Sequence, residues 1–311
     1  MQISVISDCF DRTSVSGMLD ACVAHNVDAV ELGTGNFSSA PHCNLQELLH
    51  DAGQRKRWHA EFQSRGIRIS ALNCSGNVLD GDIQRRNRAQ QVFNDTLQLA
   101  SLLEVEHVVA MSGCPGEPHT NGSFPNWVTC DWQPEFQTLL NQQWDQIVTP
   151  FWQQAASQIA GHGVRVAIEM HPGQVVYNPH TFLQLHQITG DVVGVNLDPS
   201  HLFWQGIEPI RVVEALRRHI FHVHAKDCWI NEDELRLNGG LDTRQGNDSP
   251  RAWGHCLWGE GHDEAYWASF VDSLRRNNYT GLLSIEYAGA HETVDAGLAT
   301  TVALLKRITA S

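Results

Sequence analysis

The chain is short of positive charge: 21 Lys and Arg stand against 35 Asp and Glu among 311 residues, a formal net charge of −14. Acidity on this scale repels polyanions over a Debye length, so nucleic acid is not expected as a partner. No run of 18 apolar residues occurs, and no membrane-spanning helix is expected. Met1 leads straight into an apolar run with neither a basic stretch nor a long apolar segment, which predicts a cytoplasmic protein. The eight cysteines include no C-x-x-C pair and no zinc-finger spacing. Scattered in a chain of this size, they read as small buried hydrophobes in a reducing compartment. A dinucleotide fingerprint G-x-G-x-x-G is also missing after the first strand-like run, where Asp8-Cys9-Phe10-Asp11 stands. That sets aside a nucleotide-binding, doubly wound sheet.

Present in quantity are 17 histidines and 10 tryptophans. Histidine is a common ligand of transition metals. Short apolar runs at 2–7, 29–32, 68–72, 107–110, 165–169, 192–197, 220–224 and 282–286 predict eight strands. Helical periodicity fills the intervals at 14–25, 45–65, 83–103, 142–162, 179–189, 209–217, 264–277 and 292–308. Glycines at 66, 163, 190 and 281 fall where a helix gives way to the next strand. Eight such repeats in about 300 residues predict one α/β domain over 1–311, a closed (β/α)8 barrel. Two long stretches, about 112–134 and 227–262, follow strands and are expected as loops over the C-terminal mouth, where barrel enzymes keep their chemistry.

The last four strands end alike. They read I-E169-M-H171-P, N-L-D198-P-S-H201, H222-V-H224-A-K226-D227 and L-S-I-E286-Y. In a parallel barrel these ends converge on one mouth, so Glu169, Asp198, His224 and Glu286 are the expected ligands of one divalent metal ion. Oxygen and nitrogen donors without sulfur suit manganese first, with magnesium, cobalt or zinc as other options. Placement near the mouth also nominates His171, Lys226, Asp227, Glu31 and Asn73 for substrate contact, and Trp127, Trp204 and Trp258 as faces for a sugar ring. His222 reads as a satisfied core histidine.

These motifs, with Val30-Glu31-Leu32, Ala71-Leu72-Asn73 and W-G-E-G-H-D at 258–263, resemble the sugar phosphate isomerase/epimerase superfamily of xylose isomerase-like barrels. That group takes in ketose 3-epimerases, inosose dehydratases and the apurinic endonuclease relatives. The resemblance runs over essentially the whole chain. It implies the same four metal ligands, a substrate-contacting role for His201, and paired acid–base roles for Glu169 and Glu286. Positions that carry a carboxylate and an arginine in the epimerases are Val175 and Ile230 here, so the free-ketohexose 3-epimerase pattern is not met.

The expected activity is isomerisation or epimerisation of a sugar, keto-sugar or related polyol, phosphorylated or not, by proton transfer beside a carbonyl through an enediolate. A dehydratase or 3-keto-glycoside lyase would share that first step. An apurinic endonuclease-type phosphodiesterase fits poorly, because strand three ends Leu72-Asn73-Cys74 rather than in histidine. A sugar-binding barrel without catalysis is the last alternative. The expected partner is a small carbohydrate, with self-association of identical chains left open.

Overall fold

The computed structural model describes residues 1–118, 122–244, 250–286 and 294–310. Glu292 and Thr293 of the expected last helix, Tyr287, and 119–121 and 245–249 of the two mouth stretches lie outside the described residues. Among the described residues the strands in chain order are β1 (Ile3–Ile6), β2 (Ala29–Gly33), β3 (Arg68–Asn73), β4 (His107–Met111), β5 (Arg165–Glu169), β6 (Val193–Leu197), β7 (Ile220–Ala225), β8 (Asp227–Ile230), β9 (Trp253–Cys256) and β10 (Leu283–Ile285). β1–β7 and β10 close into one parallel barrel, β10 pairing with both β7 and β1. All eight expected strands are these eight, displaced by at most two residues at an end.

The pleat sorts each strand into two faces. Val30 and Leu32, Leu72, Val108 and Ala110, Val166 and Ile168, Val195 and Leu197, and Val223 belong to the large core between the barrel and its helices. The fully buried Phe93, Trp152, Phe182, Trp267 and Phe270 belong to the same core. Each such side chain contributes roughly 1.5–3 kcal/mol on burial. The opposite parity faces the barrel axis. It holds small apolar residues lower down, where Ala71, Val109 and Ala167 pack with Phe221, and polar groups above.

Local signals explain most helix limits. Ser14, Asp82 and Asn178 accept hydrogen bonds from backbone N–H groups at helix starts, and Gly163 ends a helix at φ 67°. Two expectations need correction. The helix expected over 45–65 is two, Leu45–His50 and Ala52–Ser64, because Asp51 leaves helical geometry and its side chain caps the second at Gln54 N–H. The helix expected over 142–162 begins at Pro134 and passes through a π turn, Trp144–Val148, into Thr149–His162. Pro150 has no N–H to give the carbonyl four residues back, and the wider turn accommodates that loss.

The stretch 227–262 is more ordered than expected. β8 and β9 form an antiparallel hairpin enclosing the helix Glu232–Asn238. The Trp253 ring stacks on Trp204 at 4.4 Å and its Nε1–H donates to Gly240 O. The described part of 112–134 has no helix or strand until Pro134, but the Gln143 side chain ties Pro115, Gly116 and Asn126 together through their carbonyls.

Gly194, paired with Ala167 across β5 and β6, has no room for a side chain: a Cβ there would stand 2.6 Å from the His219 carbonyl oxygen and 2.5 Å from the Phe221 ring. Gly194→Ala should therefore cost about 1–3 kcal/mol of stability. In urea unfolding the midpoint should fall at unchanged m-value.

Candidate functional site

At the C-terminal mouth the inward parity brings charged groups together. Glu169 closes β5, Asp198 follows β6, His224 lies near the end of β7, and Glu286 follows β10. One donor atom from each of these four lies within 4.8 Å of the others. His224 Nδ1 is 3.0 Å from Glu286 Oε2 and 3.8 Å from Glu169 Oε2. Yet Nδ1 has no partner in hydrogen-bond geometry, and neither has the buried Asp198 Oδ2. Their nearest charged neighbours are Glu286 Oε2, 3.0 Å from His224 Nδ1, and His201 Nε2, 3.1 Å from Asp198 Oδ2, so poorly directed contacts hold both atoms where two more carboxylates converge. Three carboxylates and an imidazole fit a divalent cation, so the residues present suit the ion that the sequence predicts.

Behind His224 lies Glu31, with no solvent exposure. Its carboxylate accepts from Asn73 Nδ2 at 2.7 Å, Ser284 Oγ at 2.7 Å, His222 Nε2 at 2.8 Å and His224 Nε2 at 3.1 Å. Burial opposes its charge, but the His224 and His222 rings outweigh that and hold its carboxyl well below the usual range. Glu31, His222 and His224 could themselves be read as an ion site. Their separations are those of hydrogen bonds, and Glu31 is already filled by donors. Bonding Nε2–H of His224 to Glu31 fixes the tautomer that presents Nδ1 to the mouth, the arrangement common behind metal-bound histidines.

Two cations accompany the carboxylates. Lys226 is nearly buried, donates to Glu286 Oε1 and stands 3.8 Å from Asp198 Oδ2. Burial disfavours its charge, but Glu286 and Asp198 raise its pKa. His201 Nε2 lies 3.0 Å from Glu169 Oε1 and 3.1 Å from Asp198 Oδ2. Burial works against its imidazolium, but Asp198 and Glu169 overcome this and raise its pKa to about 9. The His171 ring packs 4.0 Å from that of His201. Burial and the charge of His201 lower its pKa.

These groups floor a cavity of about 480 Å³, within the roughly 300–1,000 Å³ usual for small ligands. Its lining includes Asn73, Glu169, His171, His201, His224, Lys226 and Glu286. A larger basin of about 820 Å³ opens at the other end of the barrel, around Arg68, Arg165 and Arg218. Barrel enzymes work at the strand-end face, which is also where the ligand-type groups converge.

Expected substrate contacts therefore divide. Asn73, His171, His201 and Lys226 reach the cavity wall, whereas Glu31 lies beneath it as the partner of His224. Asp227 is the clear correction. Its carboxylate is turned away and accepts from the backbone N–H groups of Cys228, Gly259, Gly261 and His262 and from Trp267 Nε1, with His262 Nδ1 at 2.8 Å. The strand pleat puts Lys226 and Asp227 on opposite faces. Trp204 stacks within the hairpin region, Trp258 packs on Trp267, and Trp127 meets Tyr177 edge-on. None of the three lines the cavity.

Sequence reading missed several wall residues, among them Asp8, Cys9, Phe37 and Ser38. The polar Asp8-Cys9-Phe10-Asp11 after β1 was a usable strand-end signal. It also missed His255 on β9, whose ring approaches that of His201 at 5.2 Å. Burial and the nearby Lys226 and His201 charges push the pKa of His255 down to about 3.

A family model described as xylose isomerase-like TIM barrel matches residues 19–308. The uncharacterised protein YfiH of Bacillus subtilis (strain 168) is 36% identical over 313 residues, covering 99% of each chain. Among solved structures, the probable 3-DHS dehydratase AsbF from Bacillus anthracis superposes with a TM-score of 0.68 at 16% identity, over 98% of this chain and 99% of that one. The IOLI protein, whose crystal structure has a binding zinc atom, gives 0.67 at 18% over 100% and 98%. A D-tagatose 3-epimerase-like protein gives 0.67 at 18% over 100% and 97%. At such identities these three speak for the fold.

Asp227→Ala should destabilise the protein by on the order of 3–5 kcal/mol, since it strands several buried donors. Denaturant unfolding checks this. A variant of unchanged stability that only weakens substrate binding would return Asp227 to the pocket.

Proposed function

The chain belongs to the xylose isomerase-like TIM barrel family, and we propose that it is a divalent-metal-dependent isomerase or epimerase of a sugar, keto-sugar or related polyol. The observation that carries this reading is the convergence of Glu169, Asp198, His224 and Glu286, with one donor atom from each within 4.8 Å of the others, at the strand-end cavity. Those four residues would hold the ion. When bound, it supplies positive charge that stabilises negative charge developing on substrate oxygens.

The protein's own groups account for the rest. Glu169 and Glu286 approach the same space from β5 and from the end of β10, so one carboxylate can take the proton from the carbon beside a carbonyl. The electron pair left behind moves onto the carbonyl oxygen, giving an enediolate. The other glutamate, which enters the cycle as its carboxylic acid, gives its own proton to carbon, so the two glutamates end with their protonation states exchanged. Delivery to the same carbon from the opposite face inverts it, and delivery to the neighbouring carbon, with the hydroxyl proton passing to the former carbonyl oxygen, isomerises the substrate. His201 holds one oxygen of Glu169, and Lys226 one of Glu286, so each base keeps its second oxygen turned inward. Asn73 and His171 on the cavity wall can accept or donate to hydroxyls.

A second reading, a lyase, shares the first proton abstraction and is favoured by Lys226. An ammonium group beside Glu286 is placed to donate a proton to a β-oxygen leaving group. Loss of water or of an alcohol from the substrate would distinguish it.

Purified protein should hold about one ion per chain at the strand ends and lose activity on chelation, with recovery when manganese or cobalt is restored. His224→Ala should empty that position in metal analysis. Glu31→Gln should keep the fold but weaken ion binding roughly 10–100-fold, read by isothermal titration. An unaltered ion content in His224→Ala would remove the ligand assignment.

Glu169→Gln and Glu286→Gln test the chemistry separately. Glutamine preserves size and one oxygen but accepts no proton near neutral pH. Each variant should lose roughly 10²–10⁴ in turnover. In D2O the wild type should place deuterium on the carbon beside the carbonyl, and each variant should retain exchange from one face alone. Metal-loaded variants that both turn over at wild-type rates would defeat the two-carboxylate mechanism.

A further inference from the structure

A second group of ligand-type side chains lies at the opposite, strand-start end of the barrel. His186 is in the last turn of the helix Pro179–Thr189, Asp191 is in the turn Gly190–Val192 that leads into β6, and His219 ends the turn Arg217–His219 that leads into β7. One ring nitrogen from each histidine and one Asp191 oxygen lie within 4.8 Å of one another. We infer that His186, Asp191 and His219 form a separate site for a divalent transition metal, which staples the helix before β6 to the turn before β7.

Four features support this. First, His186 Nδ1 faces the Val193 carbonyl oxygen at 3.4 Å, so its N–H is directed at backbone and the Nε2 lone pair is left toward Asp191. Second, His186 Nε2 and Asp191 Oδ1 are 3.6 Å apart. A charge-assisted hydrogen bond would be shorter, about 2.7–2.9 Å. Two ligands of a tetrahedral ion with bonds of about 2.1 Å stand roughly 3.4 Å apart, which the observed spacing approaches. Third, the two imidazoles are already held near each other, 4.3 Å between centroids at 64°. The fully buried Phe182 packs against both at 5.8 and 5.9 Å. Little ordering of the rings remains to be done when an ion arrives. Fourth, the Asp191 side chain is 81% exposed, which leaves an open path and room for water to complete the coordination.

The donor set decides the kind of ion. Two imidazoles with one carboxylate suit zinc, cobalt or nickel rather than magnesium or calcium, which prefer all-oxygen surroundings. No residue is shared with the strand-end set, so the two sites can be emptied independently. The elements joined here set the start of β6 and β7, the strands that carry Asp198 and His224 at their other ends. An ion in this position would stabilise the native chain by binding it and not the unfolded one.

The test is equilibrium dialysis of the full-length protein against zinc, with metal analysis, for the wild type, His186→Ala, His219→Ala and His224→Ala. Wild type should retain one ion per chain more than either His186→Ala or His219→Ala. The His224→Ala protein, impaired only at the strand ends, should still retain the ion that depends on His186. Zinc should raise the thermal unfolding midpoint of His224→Ala, and adding His186→Ala should abolish that rise. Asp191→Asn alters an exposed side chain without disturbing packing and should weaken zinc binding on the order of tenfold. Equal zinc content in wild type and both strand-start histidine variants, each folded by circular dichroism, would overturn the site. So would a zinc-induced rise in midpoint that survives in the protein carrying both His224→Ala and His186→Ala. Failure of the strand-end ligand assignment would appear in His224→Ala alone and leave this comparison intact.

Discussion

The Glu31 carboxylate sits on the barrel axis without contact with water, and a lone charge there would cost several kcal/mol. It is held by four donors from three strands: Asn73 on β3, Ser284 on β10, and His222 and His224 on β7. Those bonds reach across the interior between strands that are not all neighbours, so they restrain strand placement as well as charge. They also decide the chemistry of the mouth. With Nε2–H committed to Glu31, His224 can turn only Nδ1 toward Glu169 and Glu286. A barrel with an apolar residue at position 31 could close, but His224 Nε2 would keep only the Asn196 side-chain amide, at 3.1 Å, as a partner.

Charge balance at the mouth follows from the same crowding. Glu169, Asp198 and Glu286 would repel one another within the 4.8 Å cluster, and His201, His224 and Lys226 stand between them. The compensation is uneven. The side chains of Asp198, His224 and Glu169 are 0%, 1% and 5% exposed, against 28% for Glu286. Glu286 is therefore the member with room to change rotamer, while the others are fixed by packing. An ion drawn to this set must displace the Lys226 ammonium from Glu286 or share the carboxylate with it. Lys226 thus bears on both metal affinity and the protonation of Glu286.

The barrel was legible because each strand couples an apolar run to a polar end, and those ends fall on one face once the strands are parallel. The same reasoning found Glu169, Asp198, His224 and Glu286, which the structure brings together. Where sequence reading fell short, the cause was usually a signal read on the wrong scale. A single Asp51 breaks a helical pattern without breaking its hydrophobic period. The helix expected over 142–162 already runs through Pro150, which a π turn absorbs, but its start at Pro134 lies inside a stretch read as loop. The stretch 227–262 carries Gly, Asn and Asp in loop-like density, yet strands of four residues flank it and make a hairpin. Glu31 was nominated for substrate because position along the strand is readable, whereas depth below the mouth is set by barrel stagger, which is not.

Asp227 shows most sharply how one residue of register separates two kinds of role. Lys226 and Asp227 are adjacent, polar and just past the end of β7, so sequence position alone assigns both to substrate. The pleat points Lys226 inward to Glu286 and Asp227 outward, where the backbone of the Trp258–Asp263 segment folds around its carboxylate. The glycines of that segment suit this role: a Cβ on Gly261 would stand 2.3 Å from the Cys228 carbonyl oxygen, and Gly259 has φ 98°. The W-G-E-G-H-D motif is thus a cradle for one buried carboxylate, and it anchors the base of the hairpin directly beside Lys226. What the motif contributes to the mouth is a fixed position for Lys226, the donor to Glu286.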